Sequence, residues 1–161
     1  TPVLAAAELA CFQDEPGAWE EIALDLVGKV MSIIAENPHS PPTPTRRDEK
    51  RIATVLHCIE AEADQALSLA DLARDAAMSP YHFLRTFRHV VGMTPHRFIL
   101  RTRLRNAAVH LRRSSRPVLD IALDAGFTDL STFNRQFRTT MGMTPTVYRR
   151  RGAPPGRTAA A

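Results

Sequence analysis

The chain has 161 residues, 44% of them hydrophobic and 24% charged, a composition that fits one folded domain or two small ones and argues against wholesale disorder. No apolar run approaches the roughly 18–20 residues that span a bilayer. The two cysteines, Cys11 and Cys58, are too few for a disulfide framework or a cysteine zinc site, and the glycines form neither a dinucleotide fingerprint nor a Walker A loop. The net charge of +4 hides a strong asymmetry: residues 1–45 carry one base against seven acids, residues 46–77 five against seven, and residues 78–161 fifteen arginines against Asp120, Asp124 and Asp129. A polyanion partner is the usual reason for so one-sided a field, and DNA, RNA and an anionic membrane surface all meet that condition.

The chain begins at Thr1 without an initiator Met or a basic n-region, so it is expected to be a piece of a longer cytoplasmic protein. Trp19, Ile22, Ala23, Leu26, Val27, Val30, Ile33 and Ile34 recur at spacings of three and four, which predicts an amphipathic helix opened by Pro16 in its first turn. So broad an apolar stripe is not stable alone. Packing within the chain or on a further domain is weighed ahead of self-association into a homodimer. Pro38-His-Ser-Pro-Pro-Thr-Pro44 cannot be helix interior, because proline lacks the N–H and clashes with the preceding turn. It reads as a semi-rigid linker over 38–45, separating a segment 1–37 from a main domain over 46–151.

Ile52, Val55, Leu56 and Ile59 predict a helix over about 46–64. Ser68 three residues before Asp71 resembles a capping box and opens a short helix, 69–76, whose buried face is Leu69, Leu72, Ala73 and Ala76. Ser79-Pro80 supplies an N-cap and a first-turn proline for a helix over 80–91. Thr94-Pro95 repeats the device for a longer helix over 95–112. No β-alternating segment of any strength follows, and the fold class is all-α.

The sequence then repeats itself at an offset of fifty. Phe83-Leu-Arg-Thr-Phe-Arg-His-Val-Val-Gly-Met-Thr-Pro95 aligns with Phe133-Asn-Arg-Gln-Phe-Arg-Thr-Thr-Met-Gly-Met-Thr-Pro145, with eight of thirteen positions identical. Upstream, Leu72-Ala73 corresponds to Ile121-Ala122, and Ala125-Gly126-Phe127 marks the turn of the second copy. Each unit reads as short helix, tight turn and second helix, the layout of a helix-turn-helix. The second helices, about 80–91 and 130–141, bury their phenylalanines. They turn outward Tyr81, His82, Leu84, Arg85, Arg88 and His89 in one copy, and Leu130, Ser131, Asn134, Arg135 and Arg138 in the other. Arginine forks match guanine and asparagine matches adenine in the major groove.

At these residues the chain resembles the AraC/XylS-type double helix-turn-helix DNA-binding domain, over about residues 50–150. Ile121-Ala122, Gly126-Phe127, Phe133, Arg135, Phe137-Arg138, Gly142, Thr144-Pro145 and Tyr148-Arg149 carry the resemblance. It implies two helix-turn-helix subdomains, 46–93 and 117–150, joined by a linking helix over 95–112, with a short helical segment before them and a flexible tail over 152–161. It also implies that the two recognition helices enter successive major-groove segments. The linking helix is about 27 Å long at 1.5 Å per residue, compatible with a B-DNA turn of about 34 Å. The family's base-reading positions fall on Tyr81, Leu84 and Arg85, and on Leu130, Ser131, Asn134 and Arg135. With His82, Arg88, Thr132 and Arg138 they form the candidate DNA-binding set. Leu84 and Leu130 depart from the polar residues expected there, since an apolar side chain reads only a thymine methyl. Ala77 stands where the family often has glycine.

The bland readings take their share. The four repeat phenylalanines are core. His82 and His89, seven apart, do not have the spacing of a helical metal pair, so no metal or cofactor is expected. Cys58 reads as a buried small apolar residue. About half of the arginines read as solvated or snorkelling charges, Arg103, Arg105, Arg112 and Arg113 first among them. No nucleophile–base pair or paired carboxylates appear, so the chain is not expected to be an enzyme. The resulting expectation is a sequence-specific bacterial transcription regulator, by resemblance more often an activator, whose partners are double-stranded promoter DNA and RNA polymerase. The alternative is the DNA-binding module of a larger enzyme, such as an alkyl-repair protein, with its catalytic domain outside this chain. A third reading makes 1–37 a protein-interaction hairpin and the rest a polymerase-docking module, but it leaves the two matched recognition helices unexplained.

Overall fold

A computed structural model describes residues 16–34 and 43–152. Cys11, most of the proline-rich linker and the tail from 153 onward lie outside the described residues. Among the described residues there are eight helices and no strand: α1 (Pro16–Ile34), α2 (Arg46–Glu62), α3 (Leu69–Asp75), α4 (Pro80–Val91), α5 (Pro95–Arg113), α6 (Val118–Asp124), α7 (Leu130–Met141) and α8 (Pro145–Gly152). The all-α double helix-turn-helix architecture is the one the repeat predicts. No described helix is long and apolar enough to cross a membrane. The chain divides into two compact units. One holds α1, nearly all of α2, α3, α4 and the first turn of α5; the other holds residues 62–66, the rest of α5, and α6, α7 and α8.

Local chemistry sets the helix starts. Thr45 and Asp48 form a reciprocal capping box before α2: the Asp48 N–H donates to Thr45 Oγ1 at 3.2 Å, and the Thr45 N–H donates to Asp48 Oδ2 at 3.1 Å. The T-x-x-D pattern was present in the sequence and is the signal that finds it. Ser68 Oγ accepts from the Asp71 N–H at 3.1 Å to open α3. Ser79 and Asp129 occupy the same place before α4 and α7, accepting from the N–H of His82 at 3.3 Å and of Thr132 at 2.8 Å. Thr144-Pro145 repeats Thr94-Pro95, and the repeat is the signal for α8, which hydropathy alone does not reveal.

In the first unit Ile52, Val55 and Ile59 of α2 are buried, as are Leu69, Leu72 and Ala73 of α3 and Phe83 and Phe87 of α4. Phe87 meets Phe98 nearly edge-on, with ring centroids 6.0 Å apart. Helix α1 packs on α3 and α4. Its Glu21 carboxylate, itself buried, accepts the His96 N–H at 2.6 Å at the start of α5. Burial pushes that carboxyl above its ordinary value of 4.5, against the opposing pull of hydrogen bonds from Thr94 and His96.

The second unit packs Leu104, Ala107, Ala108 and Leu111 of α5 against Ile121 and Ala122 of α6, Phe127 of the turn, and Phe133 and Phe137 of α7. Tyr148 of α8 closes the cluster edge-on to Phe137 at 5.4 Å. The Arg112 guanidinium stacks 4.7 Å above the Tyr148 ring. Arg103 corrects the reading of it as a solvated charge. Its guanidinium donates to three backbone carbonyls, those of Ala63 at 2.5 Å, Gln65 at 2.8 Å and Gly126 at 3.1 Å. The loop after α2 and the turn after α6 bring those carbonyls to one place, and only the five-donor fork of arginine can serve all three.

The same fork clamps the turn that the two copies make with different residues. Gly126 has φ +85° and Ala77, its counterpart, has φ +51°. A Cβ on Gly126 would lie 2.5 Å from the Asp64 carbonyl oxygen, whereas Ala77 sits exposed and carries its left-handed backbone as strain. Gly126→Ala is therefore expected to lose more than about 2 kcal/mol, combining the left-handed penalty with the backbone collision. Ala77→Gly is expected to change stability by less than about 1 kcal/mol, because strain relief opposes glycine's unfolded-state entropy. Urea unfolding of the two variants measures both. A second prediction concerns acid. The hydrogen bond from the Thr132 N–H holds the Asp129 carboxyl below its ordinary value of 3.8. A lowered carboxyl stabilises the fold above its unfolded value and loses that contribution as pH falls through the folded value. Asp129→Ser keeps the cap, as Ser79 does in the first copy, so the variant should retain most of the stability at neutral pH and show a weaker loss below about pH 4.

Candidate nucleic-acid interface

The outer face of α7 follows from its inner one. Phe133 and Phe137 are fully buried, with Gln136 beside them, and helical geometry then turns Ser131, Asn134, Arg135 and Arg138 to the surface, where all four are exposed. Gly142, with φ +73°, ends the helix after Met141. Leu130 and Thr132 are half-buried, and Leu130 packs against the second core, which accounts for an apolar residue at this place. The exposed group offers one amide, one hydroxyl and two guanidinium forks within two turns of helix. These can pair with adenine and guanine edges or with phosphates.

Helix α4 has the same register and a different environment. Phe83 and Phe87 are buried as their counterparts are, and Tyr81, His82, Arg88 and His89 are exposed, with Arg85 half-buried. Leu84 departs from the outward position expected of it. It is 2% exposed, whereas Asn134, its equivalent in α7, is exposed. The physical reason lies in α1, which packs against α4. Asp25 Oδ1 of α1 lies 3.4 Å from Arg88 Nη1, and Asp25 joins Tyr81, Leu84, Arg85 and Arg88 around one shallow cleft. Gly28 brings the α1 backbone so close to Tyr81 that a Cβ there would collide with the phenol ring. No periodicity within α4 could have reported this cover, because it comes from residues more than fifty positions away.

The arginines of the second unit divide by what holds them. Arg103 is committed to carbonyls and Arg112 to Tyr148. Arg116 pairs with Asp124 at 2.6 Å, and Arg149 donates to the Arg116 carbonyl at 2.6 Å. These are architectural residues that charge counting cannot separate from surface ones. Arg135 and Arg138 are exposed on α7, and Arg135 lies near enough to the capping carboxylate of Asp129 to help hold it ionised. Among the described residues no three His, Cys, Asp or Glu side chains gather as a cation site. Cys58 is half-buried rather than fully enclosed in the core.

Comparison with known proteins gives a consistent result. The Helix-turn-helix domain family matches residues 72–151. Regulatory protein SoxS of Salmonella typhimurium is 38% identical over 100 residues, covering 62% of this chain and 94% of SoxS. The Right origin-binding protein of Escherichia coli is 40% identical over 99 residues, covering 62% of this chain. The chain spans about a third of that relative's length, 34% of it. Among solved structures, a transcriptional regulator from Chromobacterium violaceum with an AraC-type DNA-binding domain superposes with a TM-score of 0.62 at 27% identity, covering 66% of this chain and 96% of that one. With nearly the whole of SoxS matched, and with the fold and the duplicated helix-turn-helix already established, the chain belongs to the AraC-type family of helix-turn-helix DNA-binding transcription regulators.

Proposed function

We propose that this chain binds promoter DNA sequence-specifically, with α4 and α7 each presenting a recognition surface to successive major-groove segments, and that it acts as an activator in contact with RNA polymerase. One observation carries the reading: Arg85 and Arg88 around buried Phe87 occupy the same places in the repeat as Arg135 and Arg138 around buried Phe137. A scaffold alone needs the phenylalanines duplicated, but not the arginines on the opposite face. Tyr81, His82 and Arg85 of α4, and Leu130, Ser131, Thr132, Asn134 and Arg135 of α7, are the proposed contact sets, with Arg88 and Arg138 on flanking phosphates. The names of the relatives, a regulatory protein and an origin-binding protein, support binding to duplex DNA over RNA or a membrane surface.

Selection of bound sites from random duplex DNA tests the reading directly and supplies a preferred site. On that site Arg135→Ala is expected to lose about 1–3 kcal/mol while sparing most of the binding to unselected duplex. Arg85→Ala should lose the same kind of specificity at a different position of the site. Equal losses on both duplexes would make these residues phosphate contacts instead. Affinity should also fall steeply with salt. With about six to eight phosphates contacted, the log–log slope is expected on the order of −5 to −7, and a slope near zero would exclude nucleic acid as the partner.

A further inference from the structure

We propose that α1 is an autoinhibitory cover, seated on the DNA-reading face of α4, so that α1 and DNA compete for one of the two recognition helices. The proposal rests on the reading of α4 as a recognition helix.

The two copies of the repeat serve as each other's control. At four equivalent places the second copy has Ser131, Asn134, Arg135 and Arg138, all exposed. In the first copy Tyr81 and Arg88 are exposed as their counterparts are, with Arg88 ion-paired to Asp25, whereas Arg85 is half-buried and Leu84 only 2% exposed. The inward phenylalanines are equally buried in both. The difference is therefore confined to the outer face, and that is the face α1 contacts. Asp25 takes the position of a phosphate against Arg88, and the segment that carries it is acidic, one base against seven acids over residues 1–45. Gly28 lets the α1 backbone lie against Tyr81, where a side chain would have to push the phenol ring aside. Leu84, anomalous as a base reader, is explained as the residue that α1 covers.

The hold is suited to release. An ion pair with both partners partly exposed contributes little net stability. Trp19, Leu26, Val27 and Val30 of α1 remain 44% to 61% exposed while the helix is seated, so these side chains commit only part of their apolar area to the hold, and release also gives up the Glu21–His96 hydrogen bond. A duplex brings many phosphates to the same cationic face and displaces one carboxylate. The apparent affinity of the intact chain is then the intrinsic affinity reduced by the fraction of molecules with α1 lifted.

The test uses the full chain, a duplex selected from random sequence, and an unselected random pool. Gly28→Leu raises helix propensity while obstructing the seat on Tyr81, and it changes no charge. It is expected to bind the selected duplex on the order of tenfold tighter than the parent chain, which corresponds to α1 being seated in about 90% of molecules. Its salt slope should be slightly steeper than the parent's, because salt no longer assists binding by weakening the Asp25–Arg88 pair. Asp25→Asn should tighten binding in the same direction by a smaller factor, and serves if Gly28→Leu fails to fold. Independently of any variant, hydrogen exchange of the DNA-saturated parent chain should show α1 amides losing protection while α4 amides gain it. Unchanged affinity in both variants, or α1 still protected on DNA, overturns the cover. If Arg135→Ala weakens specific binding while the α1 variants do nothing, the cover alone falls. If neither the parent chain nor Gly28→Leu distinguishes the selected duplex from the random pool, the DNA reading falls and the cover with it.

Discussion

Two phenylalanines one turn apart orient each of α4 and α7, and the rest of the architecture depends on them. Phe83 and Phe87 in α4, like Phe133 and Phe137 in α7, are fully buried, with ring centroids 5.6 and 5.4 Å apart. Each ring anchors its helix by a large apolar area and by tilted or edge-on contacts to a neighbouring ring. Once positions i and i+4 face inward, positions i+1, i+2 and i+5 have no choice but to face outward or sideways. The polar and cationic display is thus a consequence of the core rather than an independent feature of the surface.

The turn between the two helices of each unit transmits that orientation. In the second unit a glycine at positive φ lets the backbone pass within contact of the Asp64 carbonyl, and Arg103 ties the same turn to the loop after α2. In the first unit an alanine takes the left-handed conformation, and Arg51 reaches its carbonyl at 3.5 Å. Two copies of one motif have arrived at the same bend by different means, one through a permissive backbone and one through tolerated strain.

Electrostatic segregation along the chain acquires a structural meaning in the first unit. The acidic N-terminal segment is not merely remote from the arginine-rich half. Its helix lies on α4, with Asp25 beside Arg88 and Glu21 at the start of α5. A charge asymmetry that suggests a polyanion partner is therefore also an internal complementarity within the first unit.

Much of this protein was legible in the sequence. The helix-turn-helix units, their phenylalanine faces and their Ser-Pro and Thr-Pro openings are local patterns, and local patterns of hydrophobic spacing and capping chemistry act over a few residues. The fifty-residue repeat extended that reading to Ser131, Asn134, Arg135 and Arg138, because one helix face predicts its twin. Tertiary structure alone decided the rest. Leu84 is buried in a helix on which α1, distant in sequence, packs, Arg103 is drawn to carbonyls from two separate loops, and Arg112 to the ring of Tyr148. Each depends on which distant segments meet. A residue's own neighbours in sequence carry its propensity and its face, but whether a given arginine is a solvated charge, a clamp or a DNA contact depends on groups that only chain folding brings within a few ångströms.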